Sequence, residues 1–404
     1  MMKEVKAMFI RNLIDNLHDI YRDCEPYDPF NAVTEITKFL FLKLVDDEQG
    51  WQRLNMRYVR RSLRQHKGKT LKEIYDELLK DAAATCGVTW LKSFDIKDPT
   101  TLVKMTEKVQ GIKISDRDRD IIGEAYERLL QVLFRGQIGQ FFTPRPVVKF
   151  MVELADPIAD EETGAIDRVI DPFVGSAGFL IYRLKRIKND KIREKASEKL
   201  LGIDKSPRIA FVGAVNLFLH GGDPRRILEG DSFKYSDVGL IDGKVRFGEW
   251  DIVLTNPPFG SRVRSDDILR MFRDRGLDYA ESEALALEVM LDLVREGGKI
   301  VTIVPESLMK NPKFSRFRQH MRKKAVIKAY ISLPLSAFYA YGSTMKTGVL
   351  YIVKRGRNVK NGKVFFDCAR YVGIDKTGRT INKNDLDAIL ARFKQFEKGG
   401  GYHE

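Results

Sequence analysis

The stretch Arg168-Val169-Ile170-Asp171-Pro172-Phe173-Val174-Gly175-Ser176-Ala177-Gly178-Phe179 decides the fold class. Its first four residues are a short apolar run closed by an acid, and a helical pattern, Ala177 to Lys188, starts directly behind the glycines. The segment therefore reads as strand, tight turn and helix. Glycines in such a turn let the backbone bend sharply and approach a ligand at the carboxyl edge of a sheet, where doubly wound folds bind cofactors. Outward from it the texture repeats. Candidate strands lie at Leu200 to Asp204, Arg226 to Leu228, Asp251 to Thr255, Lys299 to Val304, Val326 to Leu333 and Gly348 to Val353; candidate helices alternate with them at Pro207 to His220, Ala284 to Arg295 and Lys313 to Lys324. That alternation predicts an α/β architecture, a doubly wound, mostly parallel sheet with helices on both faces.

Upstream the pattern changes. Residues 1 to about 135 show no strand alternation and predict an all-α domain. One apolar helix carries Ile36, Phe39, Leu40, Leu42 and Leu44; another carries Ile121, Ile122, Ala125, Leu129, Leu130, Val132 and Leu133, with Ser115 as its N-cap. The alternating charges from Asp116 to Asp120 read as a solvated helix face rather than a metal cluster. The expected organisation is a helical domain over 1–135, a catalytic domain over 136–356 and an extension over 357–404, with Gly399 to Gly401 as the only linker-like run.

Composition excludes several classes. The 404 residues are 43% hydrophobic, enough for a sizeable core. Cys24, Cys86 and Cys368 are few, odd in number and far apart, which argues against a disulfide framework or a cysteine zinc site, and the five histidines show no ligand spacing. No metal is expected. No run approaches the ~18 apolar residues of a membrane span, and the charged N-terminus is no signal peptide, so a cytoplasmic protein without membrane contact is expected. The net charge of +14 is uneven: residues 311–404 hold 20 Lys or Arg against 6 Asp or Glu, while 1–310 hold 50 of each sign. A basic helix near 313–328 is thus the expected phosphate-contacting wall, through Arg316, Arg318 and Arg322. The basic cluster from Arg53 to Lys69 reads equally as a nucleic-acid contact or an ordinary surface patch.

Two constellations carry chemistry. The first joins the 171–179 turn to Asp204, which ends the next strand where an acid can accept hydrogen bonds from ribose hydroxyls, and to Asp231 in Gly230-Asp231-Ser232-Phe233, placed to accept one from an adenine amino group. Three acidic strand ends suit a nucleoside without phosphates. A phosphate loop is missing: Gly68-Lys69-Thr70 has Leu63 where the upstream glycine belongs, and Gly362-Lys363 is followed by Val364. The second constellation is Asn256-Pro257-Pro258-Phe259, entered directly from a strand. Two prolines offer no N–H and stiffen the chain, so the Asn256 amide oxygen and nearby carbonyls stand as acceptors at the sheet edge. Such acceptors suit a planar NH2, whose delocalised lone pair they localise by holding its hydrogens, and Phe259 offers a face for stacking.

With these motifs in order, the chain resembles the modification (M) subunit of type I restriction-modification systems, a family of DNA adenine-N6 methyltransferases. Gly139-Gln140-Phe141-Phe142-Thr143-Pro144-Arg145, the 171–179 turn, Gly202-Ile203-Asp204, Asn216 to Gly221, Asn256 to Phe259, Leu333-Pro334 and Lys346-Thr347-Gly348 carry the likeness across nearly the whole chain. The resemblance implies the S-adenosylmethionine-dependent methyltransferase fold with an N-terminal all-α domain. It also implies cofactor contacts at Gln140, Phe141, Phe142, Thr143, Pro144, Arg145, Ser176, Ala177, Gly178 and Asp204, beside the Asp171, Gly175 and Asp231 read from the strand ends. Ala177 stands where many members have glycine, which implies an ordinary backbone conformation there.

The expected reaction is direct methyl transfer from S-adenosyl-L-methionine to adenine N6 of a base flipped out of double-stranded DNA, with Asn256, Pro257, Pro258 and Phe259 as the catalytic set. Only about 40 residues separate Phe259 from Lys299, too few for a separate recognition domain. A specificity subunit is therefore an expected partner, and a second modification subunit and a restriction subunit are further partners the resemblance implies. Two alternatives remain open on the residues alone: methylation of a protein glutamine amide or an RNA base, since both present a planar NH2, and a catalytically silent DNA-binding scaffold.

Overall fold

The computed structural model describes residues 2–88, 91, 93–114, 119–133, 142–234 and 245–399, so the expected N-cap Ser115 and cofactor residues Gln140 and Phe141 lie outside the described residues. Two compact units are present, one comprising 1–134 with 211–225, the other 135–210 with 226–404. The expected segments were 1–135, 136–356 and 357–404, and these two units divide the chain in another way. The chain returns to the helical unit at 211–225, and 357–404 goes with the sheet unit rather than standing apart.

The helical unit contains α1 (Met2–Cys24), α2 (Pro29–Glu48), α3 (Met56–Gln65), α4 (Leu71–Thr85), α5 (Thr100–Val109) and α6 (Arg119–Leu133). Asp28 caps α2 by accepting from the Asn31 N–H at 2.7 Å, and Pro29 fills the first turn, where no N–H partner is needed. Every residue from Ala32 to Asp46 is buried, so α2 is the core helix of this unit. Its lysines tolerate burial because each is paired: Lys38 with Glu35 at 2.6 Å and Lys43 with Asp47 at 2.7 Å. Helix α10 (Pro207–Leu219) belongs to this unit from Phe211 onward, and Phe211 and Phe218 both meet Phe41 edge-on at 6.0 Å.

The main sheet of the second unit has, among the described residues, eight strands: β1 (Val169–Asp171), β2 (Leu200–Asp204), β3 (Ile227–Glu229), β4 (Trp250–Thr255), β5 (Val294–Pro305), β6 (Ala325–Ser332), β7 (Thr347–Lys354) and β8 (Phe365–Cys368). Their order is β3-β2-β1-β4-β5-β7-β6-β8; β7 alone runs antiparallel to its neighbours. Strand order reverses at β1, whose Val169 and Ile170 pair with Ile252 and Val253 of β4, so the crevice for a ligand opens beyond the carboxyl ends of β1 and β4. Helices α7 (Arg145–Ala155), α8 (Gly178–Lys185), α9 (Asp190–Glu198), α11 (Asp266–Asp274), α12 (Ser282–Leu293), α13 (Glu306–Lys310), α14 (Ser315–Lys324) and α15 (Leu386–Lys398) complete it, with a two-stranded ribbon of β9 (Val372–Ile374) and β10 (Thr380–Asn384). Ile389 and Phe393 of α15 are buried, and Phe393 meets Tyr351 and Phe365, which ties the end of the chain to the sheet. Among the described residues no helix is long and apolar enough to cross a membrane.

Candidate active site

A cavity of about 210 Å³ lies at the carboxyl ends of β1, β2 and β4. Of the residues expected to form a site, it is lined by Thr143, Arg145, Asp171, Gly175, Ser176, Gly178, Asp204, Asp231, Asn256 and Pro258. Five others do not line it: Phe142 is buried and stacked on Tyr341 (6.3 Å, 12°), Ala177 is fully buried under the turn, Pro257 is buried, Phe259 is half-buried with its ring edge-on to Phe338 at 6.1 Å, and Pro144 lies at the start of α7. Pro144 is also buried, and its carbonyl opens α7 by accepting from the Val148 N–H.

The turn after β1 owes its shape to two left-handed residues. Gly175 has φ 52°, and Ala177, the residue before α8, has φ 63° and ψ 23°. The ordinary conformation expected for Ala177 is thus corrected. The turn must reverse the chain within three residues so that α8 can start at Gly178, and an alanine methyl, the smallest side chain, is accepted there despite a cost of roughly 1–2 kcal/mol. Gly178 leaves room for the Arg145 guanidinium, which a Cβ there would displace.

The acids differ in environment. Asp204 Oδ1 accepts from the Ser206 N–H at 2.9 Å and Oδ2 from the Gly175 N–H at 3.2 Å, which ties β2 to the turn; burial raises its pKa, and those two N–H groups oppose the rise. Asp231 Oδ1 accepts from the Phe233 N–H at 3.0 Å. Asp171 is the extreme case. Its Oδ1 accepts from the Thr255 hydroxyl at 2.5 Å and from the Phe173 N–H at 3.1 Å, while Oδ2 is buried with no hydrogen-bond partner. Burial pushes its pKa up to about 7 against those two donors, and the Asp204 charge adds to the rise.

Asn256 Oδ1 is likewise buried without a partner, at the wall of the same cavity. The loop that presents it is gripped from α12. Ser282 Oγ donates to the Pro258 carbonyl at 3.0 Å, and Glu283 accepts from the Gly260 N–H at 3.3 Å; both side chains are buried. No hydrogen bond reaches the Pro257 carbonyl among the described residues. Gly260, at φ 72°, adopts a left-handed conformation that favours glycine, and a Cβ there would sit 2.8 Å from Met345 Sδ. Ser282 and Glu283 were not legible as functional residues: the only signal is a Ser-Glu pair opening an apolar helix more than 20 residues downstream. Phe173 and Phe233, whose rings lie 5.3 Å apart on the cavity wall, are further site residues, and the signal for Phe233 in the sequence is its place two residues after Asp231.

The basic helix α14 faces its Phe317 and Met321 inward as expected, yet much of its charge is engaged internally. Lys313, just before it, pairs with Glu281; Arg318 donates to the Leu308 and Asn311 carbonyls at 3.0 and 2.8 Å; Lys324 pairs with the fully buried Glu288. Arg318 is therefore a fold-holding residue rather than part of a free phosphate wall, and Arg316, Arg322 and Lys323 remain exposed.

A family model described as N-6 DNA methylase matches residues 117–403. The type I restriction enzyme EcoKI methylase subunit of Escherichia coli is 25% identical over 348 residues, spanning 80% of this chain and 63% of that protein. A solved chain from work on assembly and conformational transition of the type I R-M system superposes with a TM-score of 0.72 at 22% identity, covering 97% of this chain and 84% of that one. A Listeria monocytogenes protein described as a class I S-adenosylmethionine-dependent methyltransferase superposes at 0.55 with 15% identity, covering 91% and 99%. The fold is that of the class I S-adenosylmethionine-dependent methyltransferases. The chain spans only 52% to 63% of the length of the curated relatives it first matches.

Proposed function

Because the chain belongs to the N-6 DNA methylase family, we propose that it methylates adenine N6 in double-stranded DNA, as the modification subunit of a type I restriction-modification complex. The observation that carries this reading is the buried, partnerless Asn256 Oδ1 on the wall of the cavity that also holds Asp171, Asp204 and Asp231. A buried acceptor without a donor is costly in a finished fold and suits a site whose donor arrives with a substrate.

The cavity fits S-adenosylmethionine by its donor set. Asp204 and Asp231 suit the ribose and adenine of a nucleoside, Asp171 Oδ2 suits a cation, and Arg145, beside Gly178 on the same cavity, suits a carboxylate. When bound, this cofactor supplies an electrophilic sulfonium methyl and departs as a neutral thioether. Asn256 Oδ1 and the Pro257 carbonyl accept the two hydrogens of the target amino group, which raises the electron density on nitrogen as its bond to the methyl carbon forms; the displaced proton leaves to solvent. Ser282 holds the neighbouring Pro258 carbonyl away from that task, and Phe259 stacks the flipped base. The chain between Phe259 and β5 is filled by α11 and α12, which leaves DNA sequence choice to a separate specificity subunit; a second modification subunit and a restriction subunit complete the proposed assembly.

The test is Asn256→Ala, assayed for radiolabelled methyl transfer to duplex DNA with the specificity partner. Transfer should fall by at least about 100-fold with cofactor affinity unchanged. Retention of most activity would sink the assignment.

A further inference from the structure

Helix α3 carries Arg57, Arg60, Arg61 and Arg64. At 3.6 residues per turn these four positions fall within about 100° of one another, on the side opposite the buried Val59 and Ser62. All four are exposed, and none has an ion-pair or hydrogen-bond partner for its side chain among the described residues. From Arg53 to Lys69 the chain holds seven Lys or Arg and no Asp or Glu. The basic residues flanking the stripe are paired with acids, Arg53 with Asp81 at 2.8 Å, Lys69 with Glu77 at 2.6 Å and Lys72 with Asp76 at 2.7 Å, as are the two lysines on α2. Like charges three and four apart repel and weaken a helix. A merely solvated face gains nothing from a single sign, whereas an anionic partner turns the repulsion into attraction.

We propose that this arginine stripe is a contact surface for the phosphate backbone of double-stranded DNA; the identity of the polyanion rests on the methyltransferase reading above. Guanidinium forks match phosphate oxygens two at a time, and Arg57 to Arg64 spans seven residues, about 10.5 Å, which measured along the duplex axis takes in about three phosphates of one strand. A membrane surface would require an apolar face left open beside the basic one. Here Val59 is buried and Tyr58 and Leu63 are half-buried, in a helix packed on α4 and α5.

The experiment measures the binding of a labelled duplex to the full chain by fluorescence anisotropy between 0.05 and 0.4 M salt (on the order of those used for such slopes). The wild type is compared with the quadruple R57Q, R60Q, R61Q and R64Q variant and with the matching quadruple Lys variant. Loss of about three phosphate contacts lowers the slope of log affinity against log salt by about 2.7, which is about 500-fold in affinity at 0.1 M salt if the two proteins converge at 1 M. The Lys variant retains most of the slope, and cofactor affinity is unchanged in all three. An unchanged slope in the Gln variant overturns the stripe while leaving the methyltransferase reading intact. Absence of duplex binding by the wild type at every salt overturns both. Loss of binding to anionic vesicles with an unchanged duplex slope assigns the stripe to membrane and overturns the proposal.

Discussion

The proposed cofactor contact at Asp171 predicts an affinity for S-adenosylmethionine that depends on pH in a calculable way. Its carboxyl is buried, Oδ2 has no partner, and its pKa stands at about 7 rather than the ordinary 3.8. Below pH 7 the free protein therefore carries Asp171 mostly protonated. A cationic ligand at Oδ2 favours the carboxylate, so binding must first remove a proton. The penalty factor is one plus ten to the power of the pKa minus the pH: about 100-fold at pH 5, about 11-fold at pH 6 and little above pH 7.5. The same shift acts on the folded state alone. Folding favours the protonated form, so the stabilisation is fully present below pH 3.8 and is lost as pH rises through about 7, on the order of 4 kcal/mol for a shift of about three pKa units. Asp204 is the titrating neighbour that adds to the rise, and it remains in both proteins compared. Isothermal titration calorimetry at pH 5, 6 and 7.5, each in two buffers of different ionisation enthalpy, reads affinity and proton release together. The wild type should gain affinity with pH and release close to one proton at pH 5; Asp171→Asn should bind with little pH dependence. The amine of the ligand titrates identically in both, so the difference isolates Asp171. A variant that keeps the full pH dependence refutes the reasoning.

Two further outcomes follow from the geometry around the turn and the loop. Ala177→Gly should change stability by less than about 1 kcal/mol, because relief of the left-handed strain, roughly 1–2 kcal/mol, offsets a lost buried methyl of about 0.8 and glycine entropy of about 0.5–1. Ala177→Val, branched at a positive φ, should lower the melting temperature by several degrees in a thermal scan; equal melting of the two variants would show that the turn is not left-handed in solution. Ser282→Ala frees the Pro258 carbonyl and lets the 256–260 loop move, so kcat should fall about 10- to 100-fold with cofactor Kd unchanged. Glu283→Gln keeps an acceptor for the Gly260 N–H and should fall less, and a fall in cofactor affinity instead of kcat would assign both residues to general stability.

Legibility followed the range of the interactions involved. Each of the seven expected strands lies within a few residues of an observed one, because apolar runs bounded by acids, Gly or Asn-Pro carry their own punctuation. β5 is the largest discrepancy, starting at Val294 rather than Lys299: Val294 pairs with Trp250 across a register irregularity, and a Gly297-Gly298 pair reads locally as a turn. β8 to β10 and α7, α9, α11 and α15 were not anticipated. They are short or strongly amphipathic, and their place depends on the sheet they cover. The cavity residues at strand ends were legible because a parallel sheet collects its strand ends at one edge whatever the loops do.

By itself the sequence determined the alternation that yields a doubly wound sheet, the acids that close β1 and β2, and the Asn-Pro-Pro-Phe loop that follows β4, since all of these are encoded within runs of ten residues or fewer. The tertiary structure alone decided the rest. It put Ala177 in a left-handed turn, buried Asp171 deeply enough to raise its pKa, and brought Ser282 and Glu283 back onto the 256–260 loop. It also redistributed the charge: Lys313, Arg318 and Lys324 in the basic last quarter found partners, while Arg57, Arg60, Arg61 and Arg64 in the neutral front did not. A count of residues cannot show this, because whether a charge is available depends on what folding places within a few ångströms of it.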